Sequence, residues 1–151
     1  MDPFVRRFIR SSLVWLGVGV VIGVGMAFDP CGLALRPAHM HANLLGFVSM
    51  MIFGVAYHVI PRFVGRPLRW RAAASVHLWV ANAGLAGMVG GFVLRVWMGG
   101  AGNWLLRAGA AASAAGAFLF IANIWRTLDE PARRPGTLPT LDRPAPLNAS
   151  A

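Results

Sequence analysis

LRPAHMHANLLGFVSMMIFGVAYHVIPRFVGR, residues 35–66, is the stretch whose reading decides the fold. From Ala38 to Ile60 it carries no Asp, Glu, Lys or Arg. As a helix rising about 1.5 Å per residue it reaches on the order of 34 Å, enough for a hydrocarbon core of about 30 Å. Pro37 stands where a helix tolerates a missing N–H, and Pro61 predicts its end. His39, His41 and His58 fall in this run, three of the four histidines in the chain. An ionisable side chain is costly inside a span, and neutral imidazole ligates iron, copper and zinc. The stretch therefore reads as a membrane helix that holds a metal centre, with haem iron the preferred occupant.

Three further apolar runs surround it. Ser11 to Phe28 has the length of one span and reads as a retained helix, because more membrane sequence follows it and no small-residue cleavage pattern does. Gly17, Gly19, Gly23 and Gly25 give it small residues at helix-packing spacing, with a G-x-x-x-G at Gly19 and Gly23. Asp29, Pro30 and Gly32 mark a short link, which permits only an antiparallel neighbour. Ala72 to about Met98 is longer than one span and implies tilt or an interfacial end, and Trp104 to Trp125 follows a break at Gly99, Gly100, Gly102 and Asn103. The expected fold class is thus all-α: a four-helix transmembrane bundle within residues 1–126, with spans near 11–28, 38–60, 72–98 and 104–125. Residues 127–151, rich in proline and without apolar periodicity, are expected to form a disordered tail.

Composition agrees: 57% of the 151 residues are hydrophobic and 13% charged, a balance that fits an integral membrane domain. The net charge of +9 comes from arginine alone, as the chain has no lysine. These arginines border apolar runs rather than forming a stripe on a soluble surface, which excludes a nucleic-acid partner and makes the lipid bilayer the expected one. Arg6, Arg7 and Arg10, then Arg62, Arg66, Arg69 and Arg71, then Arg126, Arg133 and Arg134 lie at one end of the bundle, and Arg36 alone marks the other two loops. The positive-inside rule then places both termini in the cytoplasm and the protein in the inner membrane as a multi-pass chain. Asp2, Asp29, Asp129, Glu130 and Asp142 all lie outside the spans, which argues against a carboxylate proton relay. The single Cys31 excludes a CxxC redox pair and the CxxCH attachment of c-type haem, so any haem is non-covalent.

The histidines sort by depth. His39 and His41, two residues apart, point about 200° from each other on a regular helix and do not chelate one ion from one face. His58 near the end of the second helix and His77 near the start of the third lie at similar depth on antiparallel neighbours, which suits bis-imidazole ligation of a haem. Arg95 and Arg107, at the opposite end, are candidates for pairing with propionates. An outer haem is about 25 Å along the helix from His58 and needs its own sixth ligand, with Met88, Met98 or a second chain as candidates. On the third helix Gly84, Gly87 and Gly91 share the face of His77, leaving room for a macrocycle or for close packing of a neighbour.

The pattern LRPAH at a helix start, with Gly54 to Tyr57 and then Pro61–Arg62 at its end, resembles the second transmembrane helix of haem-copper oxidase catalytic subunits, notably the cbb-type oxidases and nitric oxide reductases. The likeness covers roughly Leu35 to Arg62. It implies that a histidine near the outer end ligates a low-spin haem b. Through LRPxH that residue is His39, which the ungapped match to Arg62 favours; through the reductase-like H-x-N-L-L it is His41. The binuclear-centre helices of a catalytic subunit have no counterpart, so no stand-alone activity is expected, and any activity would be of the oxidase or nitric oxide reductase type.

The expected function is a b-type haem protein with one or two haems, serving electron transfer, haem handling or gas sensing. Its rival is a cofactor-free assembly or interaction subunit of a respiratory or denitrification complex. Glycine-rich faces left unused by four helices suggest a homo-oligomer. A metal-handling site of His39, His41 and Cys31 ranks last, since soft copper sites favour methionine and cysteine clusters.

Overall fold

The computed structural model of the protein describes residues 2–28 and 32–129. Four helices carry the fold, named here α1 (Pro3–Phe28), α2 (Gly32–Phe63), α3 (Arg71–Met98) and α4 (Gly100–Asp129). Each is long and apolar enough to cross a membrane, with mean hydropathies of 2.0, 1.8, 1.4 and 1.7 in chain order. Among the described residues there is no strand. The all-α, four-span class expected from the sequence is the class observed. The helices outrun the apolar runs: α1 takes in Arg6, Arg7 and Arg10, and α4 continues through residues 127–129. The disordered tail expected from the sequence otherwise falls on residues 130–151, outside the described residues.

Ion pairs and hydrogen bonds at the arginine-rich end fix the direction of the helices. Arg71 at the start of α3 pairs with Asp2 beside the start of α1, and Arg66 after α2 donates to the carbonyl of Leu128 at the end of α4. Helices α1 and α3 therefore run one way, and α2 and α4 the other. At the opposite end α3 turns into α4 across Gly99 alone, with φ of 52°. The expected four-residue break narrows to one glycine, and Gly100, Gly102 and Asn103 are helical. The two helices then lie backbone against backbone. A Cβ added at Gly84 would stand 2.5 Å from the Ser113 nitrogen, and one at Gly91 would stand 2.5 Å from that of Leu106. The glycine face of α3 is thus filled by α4, and it encloses no space for a macrocycle.

Helix α2 is irregular. It opens as a 3-10 turn (Gly32–Leu35), is α-helical over Arg36–His41, becomes a π-helix over Ala42–Ser49 and returns to α over Met50–Phe63. The Ser49 hydroxyl donates to Leu44 O, five residues back, at 2.9 Å. Pro61 does not stop this helix. It lies inside the last turns, where its missing N–H leaves Tyr57 O without the usual helix donor, and Gly65 ends the helix four residues later with φ of 64°. Arg66 N donates to Pro61 O at 2.9 Å and Gly65 N to Arg62 O at 3.2 Å, the paired bonds of a Schellman cap.

Two apolar clusters form the interior. One, at the arginine-rich end, joins Phe4, Val5, Phe8, Met50, Tyr57, Leu68 and Leu78 with Phe53 and Phe120 beside them. The other joins Ala38, Ala42, Leu85 and Val89 with Trp15 and Phe92. Val14, Val21, Trp79 and Phe118 remain exposed, as lipid-facing positions do.

Candidate functional site

Near the start of α2 the two histidines take different surroundings. His39 turns toward α1, where its Nδ1–H donates to Gly19 O at 2.8 Å. Its Cε1 lies where a Cβ on Gly23 would stand, and the Asn43 amide fills the space beside Gly19. The G-x-x-x-G of α1 is therefore a seat for two polar side chains of α2. Asn43 Nδ2 also donates to His39 O at 2.9 Å, which ties it to its own helix.

His41 turns the other way. Its Nδ1–H donates to Pro37 O, one turn back, at 2.8 Å. A neutral imidazole that gives Nδ1–H to a carbonyl keeps its lone pair on Nε2, the arrangement in which a histidine ligates a metal. The ring is half-buried, 5.0 Å from Phe92 of α3 between centroids. It lines a groove of about 170 Å³ with Met40, Leu44 and Leu45. Arg95 sits one turn along α3, its guanidinium 5.7 Å from the same Phe92 ring. His41, Phe92 and Arg95 thus form one patch. Arg107 is elsewhere, over the Trp104 ring of its own helix at 5.3 Å. Of the sixth-ligand candidates, Met88 is buried in the bundle and Met98 is exposed at the end of α3.

At the arginine-rich end His58 and His77 are not brought together. His77 is fully buried, and its Nδ1 lies 3.1 Å from the Tyr57 hydroxyl. Phe8, Phe53 and Phe120 close around its ring, with centroids 5.0, 4.8 and 5.8 Å away. Its Nε2 is buried without a hydrogen-bond partner among the described residues. The aromatic packing leaves no space for a haem beside this imidazole. His58, on the adjoining face of α2, is half-buried and its Nδ1 accepts from Arg62 Nη1 at 2.9 Å. Tyr57, the residue before His58, is the one that meets His77.

Other polar side chains tie the helices together. Asn82 of α3 accepts from Ser11, and from Trp15 Nε1 at 3.0 Å, and so joins α3 to α1. Asn123 of α4 holds the backbone of Trp70 from both sides, accepting from its N–H at 3.1 Å and donating to its carbonyl at 2.9 Å. Thr127 accepts from Arg69 N at 3.1 Å. An amide in the middle of an apolar run was the available signal. Among the described residues no three of His, Cys, Asp and Glu cluster as a metal site. Cys31, the third member of the metal-handling alternative, lies outside them.

Fold and site together define a four-span helical membrane protein in which His39 and His41 each give Nδ1–H to a backbone carbonyl, and His41 lines an apolar groove. Over 111 residues, 70% of its length, the chain is 27% identical to the Cbb3-type cytochrome c oxidase subunit CcoN1 of Stutzerimonas stutzeri, of which the match covers 22%. The chain therefore spans about a fifth of that relative and has a distant link to a haem-copper oxidase subunit. No family model matches it, and no solved structure does.

Proposed function

We propose that the protein is a b-type haem-binding membrane subunit that works within a larger oxidase-like assembly, with its arginine-rich end in the cytoplasm. The observation that carries this reading is His41: its Nδ1 is fixed on Pro37 O, its ring lines an apolar groove, and Arg95 stands beyond Phe92 on the same patch. In this reading His41 would hold the iron through Nε2, Phe92 would stand as a wall beside it, and Arg95 would pair with a propionate. A bound haem b would supply one-electron redox chemistry. His39 is a positioning residue that fixes α2 on α1. The oxidase resemblance and the distant relative support the class of cofactor.

The groove of about 170 Å³ is smaller than the usual range for small-ligand sites, about 300–1,000 Å³. A macrocycle there would need a second surface, from another copy or a partner subunit. The same shortfall favours the rival reading, an assembly subunit that binds no haem itself.

A pyridine haemochrome assay on protein purified after haem-replete expression separates the two. Haem near stoichiometric with the chain, lost in His41→Ala and kept in His39→Ala and His77→Phe, is the expected result. Haem absent from the wild type alone and from its native complex would leave only the assembly role.

A further inference from the structure

The turn after α2 builds a second feature that the haem reading does not use. The Schellman cap at Gly65 reverses the chain, so Arg66 and Pro67 fold back toward Arg62. Asn123 and Thr127 then pin the backbone of Arg69 and Trp70 to α4. Between these fixed points lies a pocket of about 340 Å³ lined by Asp2, Tyr57, Pro61, Arg62, Gly65, Arg66, Pro67, Leu68 and Arg71. Its volume falls within the small-ligand range of about 300–1,000 Å³.

Three arginines, Arg62, Arg66 and Arg71, and one aspartate, Asp2, line this pocket. Asp2 pairs with Arg71. Among the described residues Arg62 is occupied by neutral groups of its own helix, His58 Nδ1 and the His58 carbonyl. Arg66 gives Nη1 to the Leu128 carbonyl, yet its Nε is buried with no hydrogen-bond partner among the described residues. Arg62, Arg66 and Arg71 thus line one pocket, and the oxyanion that matches guanidinium edges is a phosphate or carboxylate. Tyr57, Pro61, Pro67 and Leu68 supply an apolar side to the same pocket, which lies where membrane-spanning helices end.

We infer that this pocket binds a phosphate group, and that the source is the headgroup of an anionic phospholipid lodged between the ends of α1, α2 and α3. Basic pockets between helix ends recognise anionic headgroups by this combination of charge and apolar wall. The rigid loop presents the arginines ready-made, so binding orders little that is not already ordered.

Native mass spectrometry of the detergent-solubilised full chain, with short-chain phosphatidylglycerol and phosphatidylcholine in equal amounts, tests this. The wild type retains phosphatidylglycerol about tenfold over phosphatidylcholine, and Arg66→Gln loses that preference. Arg62→Gln, at an exposed residue, loses it too and decides the matter if Arg66→Gln lowers the helical circular dichroism. Arg10→Gln, which removes the same charge from the same end outside the pocket, keeps the preference. Inorganic phosphate added at millimolar concentration identifies the source: displacement of the lipid assigns the pocket to free phosphate, and retention assigns it to the headgroup. Equal retention of the two lipids by the wild type, or an equal loss in Arg10→Gln, overturns the proposal.

Discussion

Tyr57→Phe deletes one oxygen from the most enclosed part of the molecule. Tyr57 is 2% exposed and His77 fully buried, and among the described residues the hydroxyl is the one polar group that hydrogen-bonds the imidazole. The variant keeps the ring contacts with Phe4, Phe8 and Phe120. It leaves His77 with both nitrogens unpaired, whereas the wild type leaves only Nε2 so. Stranding a buried polar group costs about 1–3 kcal/mol in soluble proteins, and interhelical bonds in a membrane average about 0.6 with a maximum near 1.7. A loss of about 1–2 kcal/mol follows, or about 2–8 °C in the thermal midpoint of a chain this size. Adding His77→Phe removes the stranded nitrogens and keeps an aromatic ring among Phe8, Phe53 and Phe120. The double variant is therefore expected to recover the loss, reaching the wild-type midpoint or exceeding it. Thermal unfolding in detergent, followed by circular dichroism, reads all four members of the cycle. Simple additivity of the two substitutions would refute the coupling. Loss of a Soret band in His77→Phe would refute the larger reasoning, because it would make this imidazole a haem ligand despite the rings packed around it.

Other outcomes follow from single contacts. Gly109→Val places side-chain atoms against the backbone of Gly84, Gly87 and Met88, so it should separate α3 from α4 and lower stability by about 1–3 kcal/mol in the same assay. Gly65→Ala retains the helix but strains the positive φ of the cap, at a cost of about 1–2 kcal/mol, and hydrogen exchange should quicken at Arg66 and its neighbours first. Asn123→Ala frees the N–H and carbonyl of Trp70; exchange at Trp70 should rise while that in the middle of α3 stays slow. Arg95→Gln should lower haem retention without changing thermal stability, since the exposed Arg95 places its guanidinium over the Phe92 ring; Arg107→Gln, placed on Trp104, should change neither.

The four spans were legible because each writes its length in uncharged residues, and bilayer thickness converts that length directly into a count of helices. Pairing was less so. Carrying faces forward at 100° per residue assumes an unbroken α-helix, but Ala42–Ser49 is a π-helix, and its i→i+5 turns hold more residues. A face reckoned from His39 or His41 therefore arrives displaced by the time the chain reaches Tyr57 and His58. These two are neighbours about 100° apart, and sequence alone did not say which one α3 would meet. The glycines of α3 posed a similar choice between a cofactor slot and a helix contact. Only the contacts of Gly84 and Gly91 with α4 decide it. For His39 and His41 the opposed directions followed from spacing, yet the partner of each depended on Gly19, Pro37 and Phe92. Of these, Gly19 and Phe92 sit on other helices.

The bonds from Asn123 to Trp70 span 53 positions of sequence, and they impose an order on biogenesis. A chain made from its N-terminus exposes the arginine turn to the bilayer surface well before α4 is synthesised. Until α4 inserts, the backbone of Trp70 has no amide to hold it and Arg66 has no Leu128 carbonyl. The basic end of the bundle is consequently the last part of the molecule to mature. A nascent chain arrested before residue 123 would display three spans and a loose cationic loop, which gives membrane quality control a feature by which to tell an unfinished copy from a finished one.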